Sequence, residues 1–190
     1  VLSQIKKNIK KYDIVIVNDY GHGLMTKKII NSLSINSKFL AVSSQINAGN
    51  EGFNLVTKYK KADYCCIDQA EALKALEDKF TPDKEIAKNL LRKIGCKNVC
   101  VTMGTQGSYM SNRKGQVYKF YSITNNVADT ISAGDAFLSV SSPVMLISNS
   151  LELSSLLGNL AGAIEVSIPG PNQFVDKSDF ISNLNTLLKI

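Results

Sequence analysis

Short, unbroken apolar runs rich in β-branched residues recur along this chain, each followed by a stretch with helical spacing. The first is Asp13-Ile14-Val15-Ile16-Val17, a run of the kind that suits a strand buried on both faces. Further strands are expected at 38–43, 62–67 and 98–103, with helices at 26–33 and 69–77 and a short helix at 51–59. Val1, Leu2, Ile5 and Ile9 open the chain with helical spacing. Such repeated alternation constrains the fold to the α/β class with a mainly parallel sheet.

The most completely marked helix follows Pro82, which fits a first helical position, and ends at Gly95. Asp83 and Glu85 lie in its first turn and Arg92 and Lys93 in its last, where the macrodipole favours each sign. Ile86, Ala87, Leu90, Leu91 and Ile94 make one apolar face. Strand-like runs at 108–111 and 116–122 flank Asn112-Arg113-Lys114-Gly115 and predict a hairpin. Helices are expected at 134–148, 152–167 and 178–189. Pro143 should kink or shorten the first, and Gly170-Pro171 should break the chain before the last. With 190 residues and no repeat or linker, the chain is read as a single unit.

The balance of 22 basic and 16 acidic residues gives +6. That admits nucleic acid or a phosphorylated small molecule as partner. The lysines stand in pairs, not long tracts, and no basic–aromatic alternation occurs, so nucleic-acid binding is not expected. No apolar run reaches the ~18 residues of a membrane helix, and no membrane association is expected. Cys65, Cys66, Cys96 and Cys100 form no C-x-x-C, and His22 is the only histidine, which disfavours zinc. Buried, reduced thiols are expected, and with them a reducing, cytoplasmic setting.

In parallel sheets ligands bind beyond the carboxyl ends of the strands. Four segments there carry chemistry. Asp129-Thr130-Ile131-Ser132-Ala133-Gly134-Asp135-Ala136-Phe137 places small residues at a helix start, where free N–H groups and the dipole make an anion hole. Asp135 beside it suits a base that takes a proton from a hydroxyl attacking that anion. A plain helix cap with Asp favouring the dipole reads equally well. Thr102-Met103-Gly104-Thr105-Gln106-Gly107 is a tight turn whose backbone can face phosphates, or an ordinary corner. Asp68 and Glu71 share one helix face and suit magnesium, or simply an acidic helix start. Asn18-Asp19-Tyr20-Gly21-His22-Gly23 is a glycine-hinged loop that suits a sugar or its phosphate, or a plain turn with an exposed His.

Asp-Thr-x-x-Ala-Gly-Asp-x-Phe resembles the carboxyl-terminal signature of the ribokinase or PfkB-type carbohydrate kinases, with Ser132 where that family usually has Gly or Ala. The upstream Thr-x-Gly-x-x-Gly at 102–107 is similar to the family's nucleotide loop. The Asp-Tyr-Gly-x-Gly turn at 19–23 resembles the subgroup containing heptose-7-phosphate kinase, with His22 where Lys is frequent. Gln45-Ile46-Asn47-Ala48-Gly49-Asn50 and Gly158-Asn159-Leu160-Ala161-Gly162-Ala163 look like the same subgroup.

The resemblance implies a ribokinase-like three-layer α/β/α fold and phosphoryl transfer from ATP to a sugar or sugar phosphate, heptose 7-phosphate being nearest. It implies Asp135 as base and Ser132, Ala133 and Gly134 with it as the anion hole. Thr102, Gly104, Gly107 and Asn159 would hold the nucleotide, although Asn159 also suits close helix packing. Asp19, His22 and Asn47 would bind substrate. Glu71 would serve Mg2+, with Asp68 replacing the family's Asn, and Asp129 a monovalent cation such as K+. The resemblance covers roughly 12–188. Family members run to about 300 residues, and the amino-terminal portion with its lid has no counterpart here. The chain alone is thus expected to bind nucleotide without necessarily turning over, and an uncovered sheet edge would favour homo-oligomers. The other readings are a truncated, non-catalytic nucleotide-binding module and a dinucleotide oxidoreductase; the latter lacks G-x-G-x-x-G after the first strand.

Overall fold

Six strands form one sheet in the spatial order β1-β2-β3-β4-β5-β6. They are β1 (Val15–Asp19), β2 (Leu40–Ser44), β3 (Tyr64–Asp68), β4 (Asn98–Thr102), β5 (Ser108–Asn112) and β6 (Val117–Phe120). The computed structural model describes residues 1–50, 52–124, 127–168 and 175–189. The first four strands run parallel and the last two antiparallel, with β5 and β6 as the expected hairpin.

Helices cover both faces. On one side lie α1 (Leu2–Asn8), α2 (Lys27–Asn36), α3 (Gln69–Leu76) and α4 (Asp83–Ile94). On the other lie α5 (Ala133–Ser148) and α6 (Leu151–Ser167), and α7 (Lys177–Leu188) packs on α6. Strand period two divides the core between these layers. Cys65, Ile67, Val99 and Val101 face α3 and α4 with Ile86, Leu90 and Ile94. Tyr64, Cys66 and Cys100 face the opposite way, with Phe137, Leu138 and Met145 of α5.

The α4 signals hold but for one position: the five apolar-face residues are buried and Gly95 ends the helix at φ +64°, while Pro82 stands at the cap, one residue before the first helical position, Asp83. Three further expectations need correction. β1 is not buried on both faces: among the described residues it pairs with β2 alone, at the sheet edge, and Ile16 is 39% exposed. The short helix at 51–59 reduces to one 3-10 turn, Val56–Lys58, because Asn54 turns its side-chain amide to the Asp19 and Gln45 carbonyls. Pro143 does not shorten α5, which runs through it to Ser148. The break at Gly170-Pro171 lies outside the described residues, as does Glu51.

All four cysteines are free and buried. Burial pushes the Cys65 thiol well up and Cys96 to about 12. Among the described residues no helix is long and apolar enough to cross a membrane.

Candidate active site

Beyond the carboxyl ends of β2, β3 and β4, a cavity of about 550 Å³ opens between the two helical layers. All four predicted segments reach it, the 18–23 segment through Tyr20. The turn after β4 supplies Thr102, Gly104 and Gly107, the start of α3 supplies Asp68 and Glu71, and the start of α5 supplies residues 132–135. Asn159 and Gly162 of α6 close one wall. Parallel strands align these ends, so segments remote in sequence converge.

The start of α5 is shaped for an anion. No side chain caps α5, nor α1 or α4, whereas Thr26, Asp68, Ser150 and Asp176 cap α2, α3, α6 and α7; of the three uncapped helices only α5 starts on the cavity. Its first N–H groups and dipole are left to the cavity. Ser132 stands before them at φ +67°, a left-handed conformation that costs an L residue about 1–2 kcal/mol and explains why Gly suits the position. A Cβ on Gly134 would meet nothing within 4 Å; the space above this glycine belongs to the cavity.

Asp135 follows in the first turn and lies between three donors. Its Oδ1 accepts from Asn18 Nδ2 (3.0 Å) and Gln45 Nε2 (3.1 Å), and its Oδ2 from the Tyr20 hydroxyl (2.5 Å). That bond, with burial, pushes the Tyr20 phenol up to about 12. Asn18 received no role from the sequence, Gln45 stood only within a wider segment, and the sequence marks Tyr20 as a contact to a sugar or its phosphate, not as a partner of Asp135. The available signal was strand alternation, which sends 18 and 20 one way and Asp19 the other.

Asp19 consequently lies away from Asp135. It is 3% exposed and lines a second cavity of about 390 Å³. Its Oδ2 takes Lys58 Nζ (2.5 Å) and the Tyr59 hydroxyl (2.6 Å), and its Oδ1 the Gly21 N–H (3.0 Å). Burial alone would raise its pKa, but these bonds outweigh burial and lower it. Asn47 donates to the Tyr20 carbonyl (3.0 Å) and accepts from the amides of Gly49 and Asn50, so it shapes the loop under Tyr20. His22 is exposed, its ring 6.3 Å from that of Tyr20.

Glu71 has a structural duty as well. With Asp68 it completes a capping box on α3 and accepts from the Ile46 N–H (2.8 Å). Burial is the largest influence on its carboxyl and holds it above the usual range. Asp129 accepts from the Ile131 N–H (2.9 Å) at the approach to α5 and is not in the cavity wall. Both Asn159 side-chain N–H groups are engaged, with Ser108 Oγ and the Ser155 carbonyl. Gly107 is required by packing: a Cβ there would lie 1.9 Å from the Phe120 carbonyl oxygen.

The described cavity wall holds the carboxylates of Asp68, Glu71 and Asp135 and no lysine or arginine. A polyphosphate entering such a wall needs the α5 amides and an accompanying cation to offset the charge. The described residues contain no group of three or more His, Cys, Asp or Glu that could hold a metal by itself. Carboxylates that hold magnesium together with bound phosphates fit this wall; an all-protein metal cage does not.

The model for "pfkB family carbohydrate kinase" matches residues 54–177. Two curated relatives, both called bifunctional protein HldE, come from Desulfatibacillum aliphaticivorans (24% identical over 183 residues) and Campylobacter fetus subsp. fetus (27% over 177). They align with 94% and 90% of this chain, which spans 36% and 37% of their lengths. An Arabidopsis thaliana ribokinase complexed with ribose and ATP superposes with a TM-score of 0.77 at 15% identity, over 95% of this chain and 58% of that one. Phosphofructokinase-2 from Escherichia coli, in complex with potassium, gives 0.79 at 15% identity, over 100% and 62%. The fold is the ribokinase-like one that the motifs implied.

Proposed function

The chain belongs to the pfkB family of carbohydrate kinases, and from that premise we propose that it transfers a phosphoryl group from ATP to a hydroxyl of a sugar or sugar phosphate. The observation that carries the proposal is the placing of Asp135 within the uncapped first turn of α5, on the cavity that the 102–107 turn also lines. In this reading residues 1–190 form the nucleotide-binding portion of the kinase.

Asp135 takes the proton of the acceptor hydroxyl as its oxygen attacks the γ-phosphorus. The amides of Ser132, Ala133, Gly134 and Asp135 donate to the charge that develops on the transferred group. Thr102, Gly104 and Gly107 shape the turn that seats the phosphates. Asn159 keeps its side-chain oxygen for the base. Glu71, with Asp68 on the same wall, would hold a magnesium ion, which supplies neutralising charge to the phosphates. Asp129 is the proposed ligand for a monovalent cation such as K+. His22 and Asn47 border the acceptor end beside Tyr20, and Asp19 serves that end by bracing its loop. The 19–23 turn favours a heptose 7-phosphate as acceptor, in the cytoplasm.

The test is calorimetric titration of the complete protein with ATP and magnesium, with Gly134→Val alongside. The substitution fills open space without imposing a left-handed backbone. Saturable binding, weakened about tenfold or more (1.4 kcal/mol) by Gly134→Val, is expected. Absence of ATP binding, or equal affinity in the variant, would overturn the proposal.

A further inference from the structure

The surroundings of Asp135 specify which of its oxygens can act. A carboxylate offers about four lone-pair sites, two on each oxygen. Two amide donors, from Asn18 and Gln45, fill those of Oδ1. Tyr20 takes one site on Oδ2, leaving one open.

The donors are themselves held. Asn47 and Asn50 both donate to the Tyr20 carbonyl, at 3.0 and 3.2 Å. Asn50 and Asn54 both donate to the Gln45 carbonyl, at 2.9 and 3.0 Å. Asn18 is fixed by its pairing with Ser43 of β2. The ends of two neighbouring strands thus present three neutral donors to the one carboxylate in the first turn of α5. A positioned base gains most when its reacting lone pair is already aimed.

We propose that Asn18, Gln45 and Tyr20 are positioning residues for the base: the two amides saturate Oδ1, the phenol orients Oδ2, and Oδ2 alone takes the acceptor proton. The inference rests on the kinase reading above. In the step, the acceptor O–H bond breaks and its proton goes to Oδ2. The acceptor oxygen bonds to the γ-phosphorus of ATP, and the bond from that phosphorus to the bridging oxygen breaks. ADP departs with that electron pair. Tyr20 keeps its proton throughout, held by the bond to Asp135.

The experiment uses the complete enzyme with Asn18→Ala, Gln45→Ala, Tyr20→Phe and Asp135→Asn. Each of the first three is expected to lower kcat by about 10- to 100-fold while KM for ATP stays within about two-fold. A second readout is independent of turnover. With 3-fluorotyrosine at position 20 and His22→Ala to remove the neighbouring ring, the phenol is titrated by 19F resonance. Its midpoint should lie above that of exposed fluorotyrosine and fall when Asp135→Asn is added.

If Asp135→Asn leaves turnover intact, the kinase reading itself fails. If that variant is inactive while the three donor variants keep kcat within about two-fold, only the positioning inference fails. Equal fluorotyrosine midpoints with Asp and Asn at 135 would also overturn it, whether or not the donor variants fold.

Discussion

Replacing Lys58 by Met removes a cation from a carboxylate that is buried against its neighbours. Asp19 is 3% exposed, whereas the Lys58 side chain is 30% exposed. Methionine keeps most of the stem and deletes the ammonium that reaches Asp19 Oδ2 and Asn54 Oδ1. Removing one partner of a buried pair costs about 3–5 kcal/mol, most of it from the charge left behind. Asp19 retains the Tyr59 hydroxyl and the Gly21 N–H, and Lys58 was partly in water, so the low end applies, about 3 kcal/mol. For a unit of this size that lowers Tm by about 6–12 °C.

The pH dependence supplies an internal check. In the native protein the Asp19 carboxyl is lowered below its unfolded value, so its contribution is present above the unfolded pKa and lost as pH falls through the lowered one. Without Lys58 the burial penalty stays while two of the influences that lower the carboxyl are lost, so the variant's carboxyl lies above the native one and gains less from ionisation. Calorimetric scans should therefore show the native–variant gap widening as pH rises from the lowered native value towards neutrality. A Tm within about 2 °C of native at neutral pH, or a gap independent of pH, would refute this reasoning.

Gly107→Ala should destabilise by on the order of 3 kcal/mol, since its Cβ would meet the Phe120 carbonyl and its φ is +89°; denaturant unfolding measures it. Gly158→Ala places a Cβ 2.8 Å from the Phe137 ring, pressing α6 against α5 at a cost of about 1–3 kcal/mol by the same assay. For Glu71→Gln the sign is opposite. Burial raises the folded carboxyl above its unfolded value, so the ionised side chain costs stability once pH exceeds the unfolded pKa. Gln has a single acceptor oxygen and loses one of the two N–H bonds that Glu71 accepts, so the variant starts below native at low pH. Its Tm relative to native should rise as pH rises, while ATP-dependent turnover falls, and a stability loss that grows with pH would contradict this.

What the sequence made legible followed from local rules. Pro82, Gly95 and the apolar face between them define α4 because start and stop residues, dipole and periodicity agree. The small residues at 132–134 with the acidic Asp135 in the first turn marked the start of α5. The missed parts depended on neighbours remote in the chain. The run at 13–17 looks central because its residues are apolar, yet only the sheet order makes β1 an edge. Asp19 stood out as a carboxylate on a loop, but its face is fixed by register, and register sends it to Lys58 and Tyr59. Neutral Asn18 carried no chemical signal until Asp135, 117 residues away, was placed against it. Asn54 broke the helix expected around it through the carbonyls of Asp19 at the end of β1 and Gln45 just after β2, a contact that no local pattern encodes.

The most direct measurement is turnover and ATP affinity of Asp135→Asn in the complete enzyme. Asn keeps the shape and the hydrogen-bonding reach of Asp135 but cannot take a proton from the acceptor. A fall in kcat of about 10²- to 10⁴-fold is predicted, with ATP affinity changed by no more than about three-fold, under 1 kcal/mol. Turnover within about tenfold of native (1.4 kcal/mol) would contradict the assignment of Asp135 as the base.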